Sequence, residues 1–354
     1  MSRAAAGLLW LARMSLLAYN GSSRTTPHVG VSVLKKDQIV GIDLGGTHFR
    51  IGLFDREGHI LRRRSWPTEA ESGPDTVIQR LAAGVLELCA PEGLDQVVAI
   101  GVGSPGPLDP WRGVIIHTPN LPGWNEVPLR DILSSRLGVP VFLGNDANLA
   151  ALGEMLFGAA MGCRDVVYFT VSTGVGGGVI TDGRLLLGAH GLAGELGHTT
   201  ILPNGPLCGC GNHGCLEALA SGTAIAREAR LRLTAGEPSR LLEMAGGDVA
   251  KVNAELVSRA AAQGDALAGE VFQNAAYHLG IGVANVLHAF DPDIVVLGGG
   301  VSLAGDMLFS TVRRVVQERA MPAYRLTANI VPAALGDDAG LMGAAALVLA
   351  EIGR

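Results

Sequence analysis

One local pattern occurs twice in this chain and limits its fold more than any other feature. QIVGIDLGGTHFRIGLFD, starting at Gln38, and DVVYFTVSTGVGGGVITDG, starting at Asp165, each read as a strand, a glycine turn and a returning strand. Short runs rich in Val, Ile and Phe on either side of a glycine turn favour a β-hairpin. With such units at 39–55 and 166–182, the simplest architecture is two related α/β domains facing each other across a cleft. The segments between them fit that plan. HILRRRSW offers a third strand, and residues 74–90 carry apolar side chains at helical spacing behind a proline. QVVAIGVG and DIVVLGGG are nearly continuous apolar runs, as buried strands are. Residues 104–123, rich in Pro and Gly, read as a loop, followed by a short helix and the strand VPVFLG. Beyond it, ANLAALGEMLFGA reads as a helix, 221–290 as one long helical stretch, and 338–352 as an Ala-rich closing helix. The expected division is an N-terminal extension (1–37), a smaller α/β domain (38–146), a larger α/β domain (147–337), and a C-terminal helix returning to the smaller one (338–354).

Composition agrees with this size of fold. The 354 residues leave room for two domains at roughly 150 residues each, and 48% hydrophobic against 17% charged residues supplies two cores. A net charge of −6 argues against a nucleic-acid partner, which calls for a basic surface. No membrane partner is expected either. Residues 1–36 hold no Asp or Glu, three Arg and two Lys, a composition similar to a transit peptide. Arg13 interrupts their apolar run, which is also too short to span a bilayer. The segment is therefore expected to be a poorly ordered extension on a cytoplasmic protein.

Three glycine turns sit at predicted strand ends: Asp43-Leu44-Gly45-Gly46-Thr47, Ser172-Thr173-Gly174-Val175-Gly176-Gly177-Gly178, and Leu297-Gly298-Gly299-Gly300-Val301. Adjacent glycines let a backbone approach phosphate oxygens closely with its N–H groups. Asp43 is placed to hold Mg²⁺ through water. None of the three fits the Walker pattern, and a Gly-Gly pair in a hairpin is by itself usually just a turn; three such loops at strand ends carry more weight than one.

The densest chemical signal is GELGHTTILPNGPLCGCGNHGCLE. Cys208, Cys210 and Cys215 follow His198 by ten, twelve and seventeen positions. One imidazole and three thiolates suit tetrahedral Zn²⁺, and four protein ligands leave no open position, so the metal is expected to be structural. His213 reads as a surface residue, and Cys89 and Cys163 as small buried apolar groups. Glu195, three residues before His198, projects from the same side of a helical turn. Glu217 follows Cys215 by two positions. Carboxylates gripped by a metal loop can accept hydrogen bonds from several hydroxyls, which is what a sugar presents. Asp146, at the end of VPVFLGN, has two equal readings: a general base for a hydroxyl attacking phosphorus, or the N-cap of the helix that follows.

Together these motifs resemble the ROK family (repressors, open reading frames, kinases), from about residue 40 to 350. GIDLGGT is similar to the family's first phosphate motif, STGVGGGVI to its second, LGGGV to its adenosine motif, and GNDAN to its catalytic-aspartate segment. The stretch 194–217 is similar to its zinc and sugar motif. The resemblance implies an actin-like ATPase and hexokinase (ribonuclease H-like) fold with an interdomain cleft. It implies transfer of the γ-phosphoryl of ATP to the C6 hydroxyl of a hexose, glucose first, with N-acetylmannosamine or N-acetylglucosamine as alternatives. Asp146 would be the base; Asn120, Asn145, Glu195, His198 and Glu217 would contact the sugar. Asp43, Gly45, Gly46, Thr47, Thr173, Gly174, Gly176, Gly177, Gly298, Gly299 and Gly300 would serve ATP and Mg²⁺. Ser172 stands where many kinases of the family carry Gly. A homodimer or higher homo-oligomer is the family's habit. A sugar-responsive repressor, the family's other class, needs a helix-turn-helix domain; the residues before the first strand show no pair of amphipathic helices.

Overall fold

The computed structural model describes residues 36–118 and 121–353. Asn120 and the segment 1–35, on which the expectation of an extension rests, lie outside the described residues. Within them the chain forms two compact units, 36–144 with 344–353, and Asn145–Gly343.

In the first unit, β1 (Gln38–Leu44) pairs antiparallel with β2 (His48–Phe54), from Ile39 opposite Phe54 to Leu44 opposite Phe49. β3 (Ile60–Pro67) adds to the outer edge of β2. On the other side β4 (Val97–Ser104) runs parallel to β1, and β8 (Val141–Asn145) lies next to β4, giving the order β3-β2-β1-β4-β8. Helix α1 (Pro74–Cys89) starts at a proline, whose missing N–H costs nothing in a first turn. It buries Val77, Ile78, Leu81 and Val85 in the core of this sheet. The segment expected to be a loop, 104–123, instead contributes most of a second small sheet: β5 (Leu108–Asp109), β6 (Val114–His117) and β7 (Asn125–Val127). Strands of two to four residues are too short to show a period among Pro and Gly. Helix α2 (Leu129–Leu137) follows.

The second unit repeats the arrangement. After α3 (Asp146–Phe157), β9 (Val166–Val171) and β10 (Val175–Thr181) form the second hairpin, with β11 (Arg184–Leu185) outside it. β12 (Ile294–Gly298) runs parallel to β9, and β13 (Ile330–Pro332) parallel to β12. The order β11-β10-β9-β12-β13 matches that of the first sheet strand for strand. Each repeated sequence unit is thus the central hairpin of its own five-stranded sheet, with its own core.

The stretch 221–290 is not one helix. It breaks into α5 (Gly222–Thr234), α6 (Leu241–Met244), α7 (Ala254–Ala262) and α8 (Ala266–Phe290), preceded by α4 (Leu216–Ala220). Gly236 with Pro238, the Gly246-Gly247 pair and Gly264 end successive helices, and side-chain caps start α7 and α8. Asn253 Oδ1 accepts from Leu256 N–H at 2.8 Å, and Asp265 Oδ1 from Ala268 N–H at 2.9 Å. Apolar periodicity continued across the breaks because all these helices bury a face in one core. Helices α9 (Asp306–Arg319) and α10 (Pro322–Thr327) lead to β13, and α11 (Ala339–Ile352) closes the chain. Among the described residues no helix is long and apolar enough to cross a membrane.

Candidate active site and metal centre

In the first unit, Asp43 is the penultimate residue of β1, opposite Arg50 of β2. Burial pushes the Asp43 carboxyl above its ordinary range, against the opposing pull of the Arg50 guanidinium 4.0 Å away. In the turn that follows, Gly45 N–H donates to the His48 carbonyl at 3.0 Å, so the amides that can face a phosphate are those of Gly46 and Thr47. Thr68 braces the turn from behind: its N–H reaches the Thr47 carbonyl at 2.7 Å and its hydroxyl the Gly45 carbonyl at 2.6 Å.

The second turn is shorter than its sequence suggested. Only Ser172, Thr173 and Gly174 lie between the strands, while Gly176 and Gly177 fall inside β10, opposite Thr170 and Phe169. There they serve packing. A Cβ on Gly176 would lie 3.0 Å from the Ala147 methyl, one on Gly178 2.7 Å from that of Ala151, and one on Gly177 2.7 Å from Leu196. The glycine run in β10 lets α3 sit against one face of the hairpin and the 194–196 loop against the other. The third turn has Gly298 ending β12, Gly299 as a pivot and Gly300 opening a short 3₁₀ turn, 300–304.

Helix α3 begins where β8 ends, and its cap is Asn145. The Asn145 Oδ1 accepts from Ala147 N–H at 3.0 Å and Asn148 N–H at 3.3 Å. Asp146 is therefore the first helical residue; its Oδ1 accepts from Ala147 N–H at 2.7 Å. Because Asn145 caps through its oxygen, its Nδ2 is the group left to meet a ligand.

His198, Cys208, Cys210 and Cys215 converge, with all ligand atoms within 4.8 Å of one another. Cys210 Sγ and Cys215 Sγ are 3.7 Å apart, and Cys208 Sγ is 3.6 Å from His198 Nδ1. A disulfide needs about 2.05 Å. A tetrahedral ion at about 2.3 Å from sulfur and 2.0–2.1 Å from nitrogen needs edges of about 3.8 and 3.6 Å, so the cluster fits a zinc-sized ion. Burial pushes the Cys208 thiol up to about 12, so a bound cation is what would favour its thiolate. His213 is exposed and bonds the Gly205 carbonyl through Nδ1, outside the cluster. Of the two remaining cysteines, Cys89 is buried, whereas Cys163, expected to be buried, is only partly so.

The carboxylates meet this loop from two sides. Glu195 and His198 share one 3₁₀ turn, with Glu195 Oε2 4.0 Å from His198 Nε2. Glu217, on α4, has Oε1 3.7 Å from Cys208 Sγ, while its Oε2 accepts from Val175 N–H at 3.0 Å. It therefore joins the cysteine loop to the second glycine turn. A hollow of about 290 Å³ opens beside this junction, lined by Thr173, Gly174, Cys208, Glu217, Thr223 and Arg227. Sequence reasoning passed over Glu154, which is fully buried on α3. It collects the N–H groups of Ala159, Ala334 and Leu335 at 2.7–3.1 Å and so anchors α3 to the segment after β13. In ANLAALGEMLF nothing separates it from a solvated helical glutamate.

The sequence matches the profile of the ROK family over residues 39–351. It is 42% identical over 320 residues to a glucokinase of Thermotoga maritima, covering 90% of this chain and all of that one. The fold superposes on a ROK hexokinase from Thermus thermophilus with a TM-score of 0.76, at 42% identity and coverage of 89% and 99% of the two chains. On a ROK family glucokinase from Streptomyces griseus, solved with glucose and AMPPNP, the TM-score is 0.74, at 36% identity and coverage of 88% and 98%. The two matching sheets with their helices make up the two-domain fold of the actin-like ATPases and hexokinases. Duplicated hairpins, the cysteine and histidine cluster, and these likenesses along nearly the whole chain have one explanation: the chain belongs to the ROK family.

Proposed function

We propose that this protein is an ATP-dependent glucose kinase, transferring the γ-phosphoryl of ATP to the sugar's C6 hydroxyl. The observation that carries the reading is the 42% identity to a glucokinase over that enzyme's full length. In the reaction, Asp146 accepts the proton of the C6 hydroxyl as its oxygen attacks the γ-phosphorus, and the bond to the β–γ bridging oxygen breaks to release ADP. Asp146 suits this role because Asn145 is the N-cap of α3 and Asp146 shares the Ala147 N–H with it through Oδ1, a bond that holds the carboxylate in place at the helix start.

The remaining polar groups divide by ligand. On the sugar side, Asn145 Nδ2, Glu195, Glu217 Oε1 and His198 Nε2 offer donors and acceptors to hydroxyls, with Asn120 as a further donor. On the nucleotide side, the amides of Gly46, Thr47, Thr173 and Gly174 offer hydrogen bonds to phosphate oxygens, and Gly298–Gly300 make room for the adenosine. Gly176 and Gly177 would support the nucleotide site from inside β10, where their lack of a side chain admits Ala147 and Leu196. Asp43 would hold Mg²⁺, which supplies charge neutralisation on the phosphates when bound. His198, Cys208, Cys210 and Cys215 would hold zinc, which supplies a rigid anchor for the 198–215 loop when bound. With Nδ1 facing the thiols, the His198 ring proton belongs on Nε2, where it can be donated to a hydroxyl. A coupled ADP-release assay tests the reading: ADP should appear only when glucose and Mg·ATP are both present. Release that is indifferent to any sugar would overturn it.

A further inference from the structure

The second glycine turn has a weakness built into it. Position 174 is a glycine, and a Cβ there would lie 2.4 Å from Glu217 Oε2, so any side chain would have to displace the carboxylate that holds Val175 N–H. Glycine gives that position wide conformational freedom, so the peptide joining Thr173 to Gly174 can rotate at little cost. A phosphate site built on turn amides works only if those amides hold one direction.

The hydrogen bonds show how the direction is held. Gly222 N–H, at the start of α5, donates to the Ser172 carbonyl at 2.7 Å. Thr223 donates twice to the Thr173 carbonyl, from its N–H at 3.3 Å and from its hydroxyl at 2.8 Å. Ser172 N–H closes on the Gly174 carbonyl at 2.9 Å, and Glu217 takes the Val175 N–H. Every peptide of the turn is therefore pinned on one side. In a trans peptide the carbonyl and the N–H point in opposite directions, and none of these bonds is cis. With the carbonyls of Ser172 and Thr173 held by α5, the amides of Thr173 and Gly174 must point away from α5. Among the described residues neither amide has an acceptor.

We infer that Thr223 is a positioning residue for the nucleotide: its hydroxyl clamps the Thr173 carbonyl and thereby aims the Thr173 and Gly174 amides at a phosphate of ATP. The inference rests on the kinase reading in naming phosphate as the ligand. Thr223 is exposed, so replacing its hydroxyl by a methyl leaves the core untouched. Thr223→Val keeps only the longer backbone bond, whereas Thr223→Ser keeps the clamp.

The test is calorimetric titration of Mg·ADP and, separately, of glucose into the full-length protein and both variants, alongside thermal unfolding. Thr223→Val should weaken Mg·ADP about three- to tenfold, the worth of one hydrogen bond, with glucose affinity and Tm almost unchanged. Thr223→Ser should bind Mg·ADP within about twofold of the parent, since it retains that bond. Equal weakening of both ligands by Thr223→Val, or no change in Mg·ADP, overturns the clamp and leaves the kinase reading standing. If the unsubstituted protein binds no nucleotide, the kinase reading falls and the clamp falls with it.

Discussion

At the scale of single residues, the start of α3 decides most. The sequence places Asn145 and Asp146 side by side, and either type caps a helix well. Folding separates them: Asn145 takes the amides of Ala147 and Asn148, and Asp146 becomes the first helical residue. The expected consequence is sharp. Asp146→Asn preserves shape and leaves the cap in place, yet removes the proton acceptor, so kcat should fall at least roughly a hundredfold. The KM for glucose and the unfolding temperature should barely move. Steady-state kinetics and a thermal melt on the same sample check this, and a near-normal kcat would return Asp146 to a structural part. Glu154 shows the limit of residue-level reading. Its three backbone donors come from its own helix end and from a segment some 180 positions later, and no local pattern announces a contact of that range.

Among the elements, the cysteine loop was the most legible. Ligand type and spacing in 198–215 predict a four-ligand site, and the four ligand atoms converge within 4.8 Å, with the Cys210–Cys215 and Cys208–His198 edges at 3.7 and 3.6 Å. Cys210 is exposed while Cys208 and Cys215 are buried, so substitution there tests the metal with little direct damage to packing. Cys210→Ser should lose the one zinc that elemental analysis is expected to find per chain of the parent protein. Its KM for glucose should rise more than its KM for ATP, because His198 and Glu195 hang from the loop directly. A parent protein free of zinc and still active would sink the metal assignment. Helices were harder to read. The stretch 221–290 carries one apolar rhythm because α5, α7 and α8 all face the same core, and its breaks rest on glycines that helices also tolerate singly. Likewise the glycines of β10 read as a phosphate loop, since a backbone kept bare for a helix and one kept bare for a ligand look the same in sequence.

For the whole molecule, the prediction concerns the sugar. We expect a higher kcat/KM for glucose than for N-acetylmannosamine or N-acetylglucosamine, measured side by side with saturating Mg·ATP; a preference for either N-acetyl sugar would reassign the acceptor. The doubled hairpin, the apolar strands and the cysteine spacing were set by the sequence alone, because they depend on neighbours a few positions apart. The shared strand order of the two sheets adds what periodicity cannot, since it joins β9 to a strand more than a hundred residues later. Only tertiary structure decided which of two adjacent residues caps α3, why β10 must be bare, and which hydroxyl holds the second turn. The cap turns on the exact backbone geometry where β8 meets α3, and the other two on groups brought against β10 and the second turn from elsewhere in the chain, none of which one-dimensional order encodes.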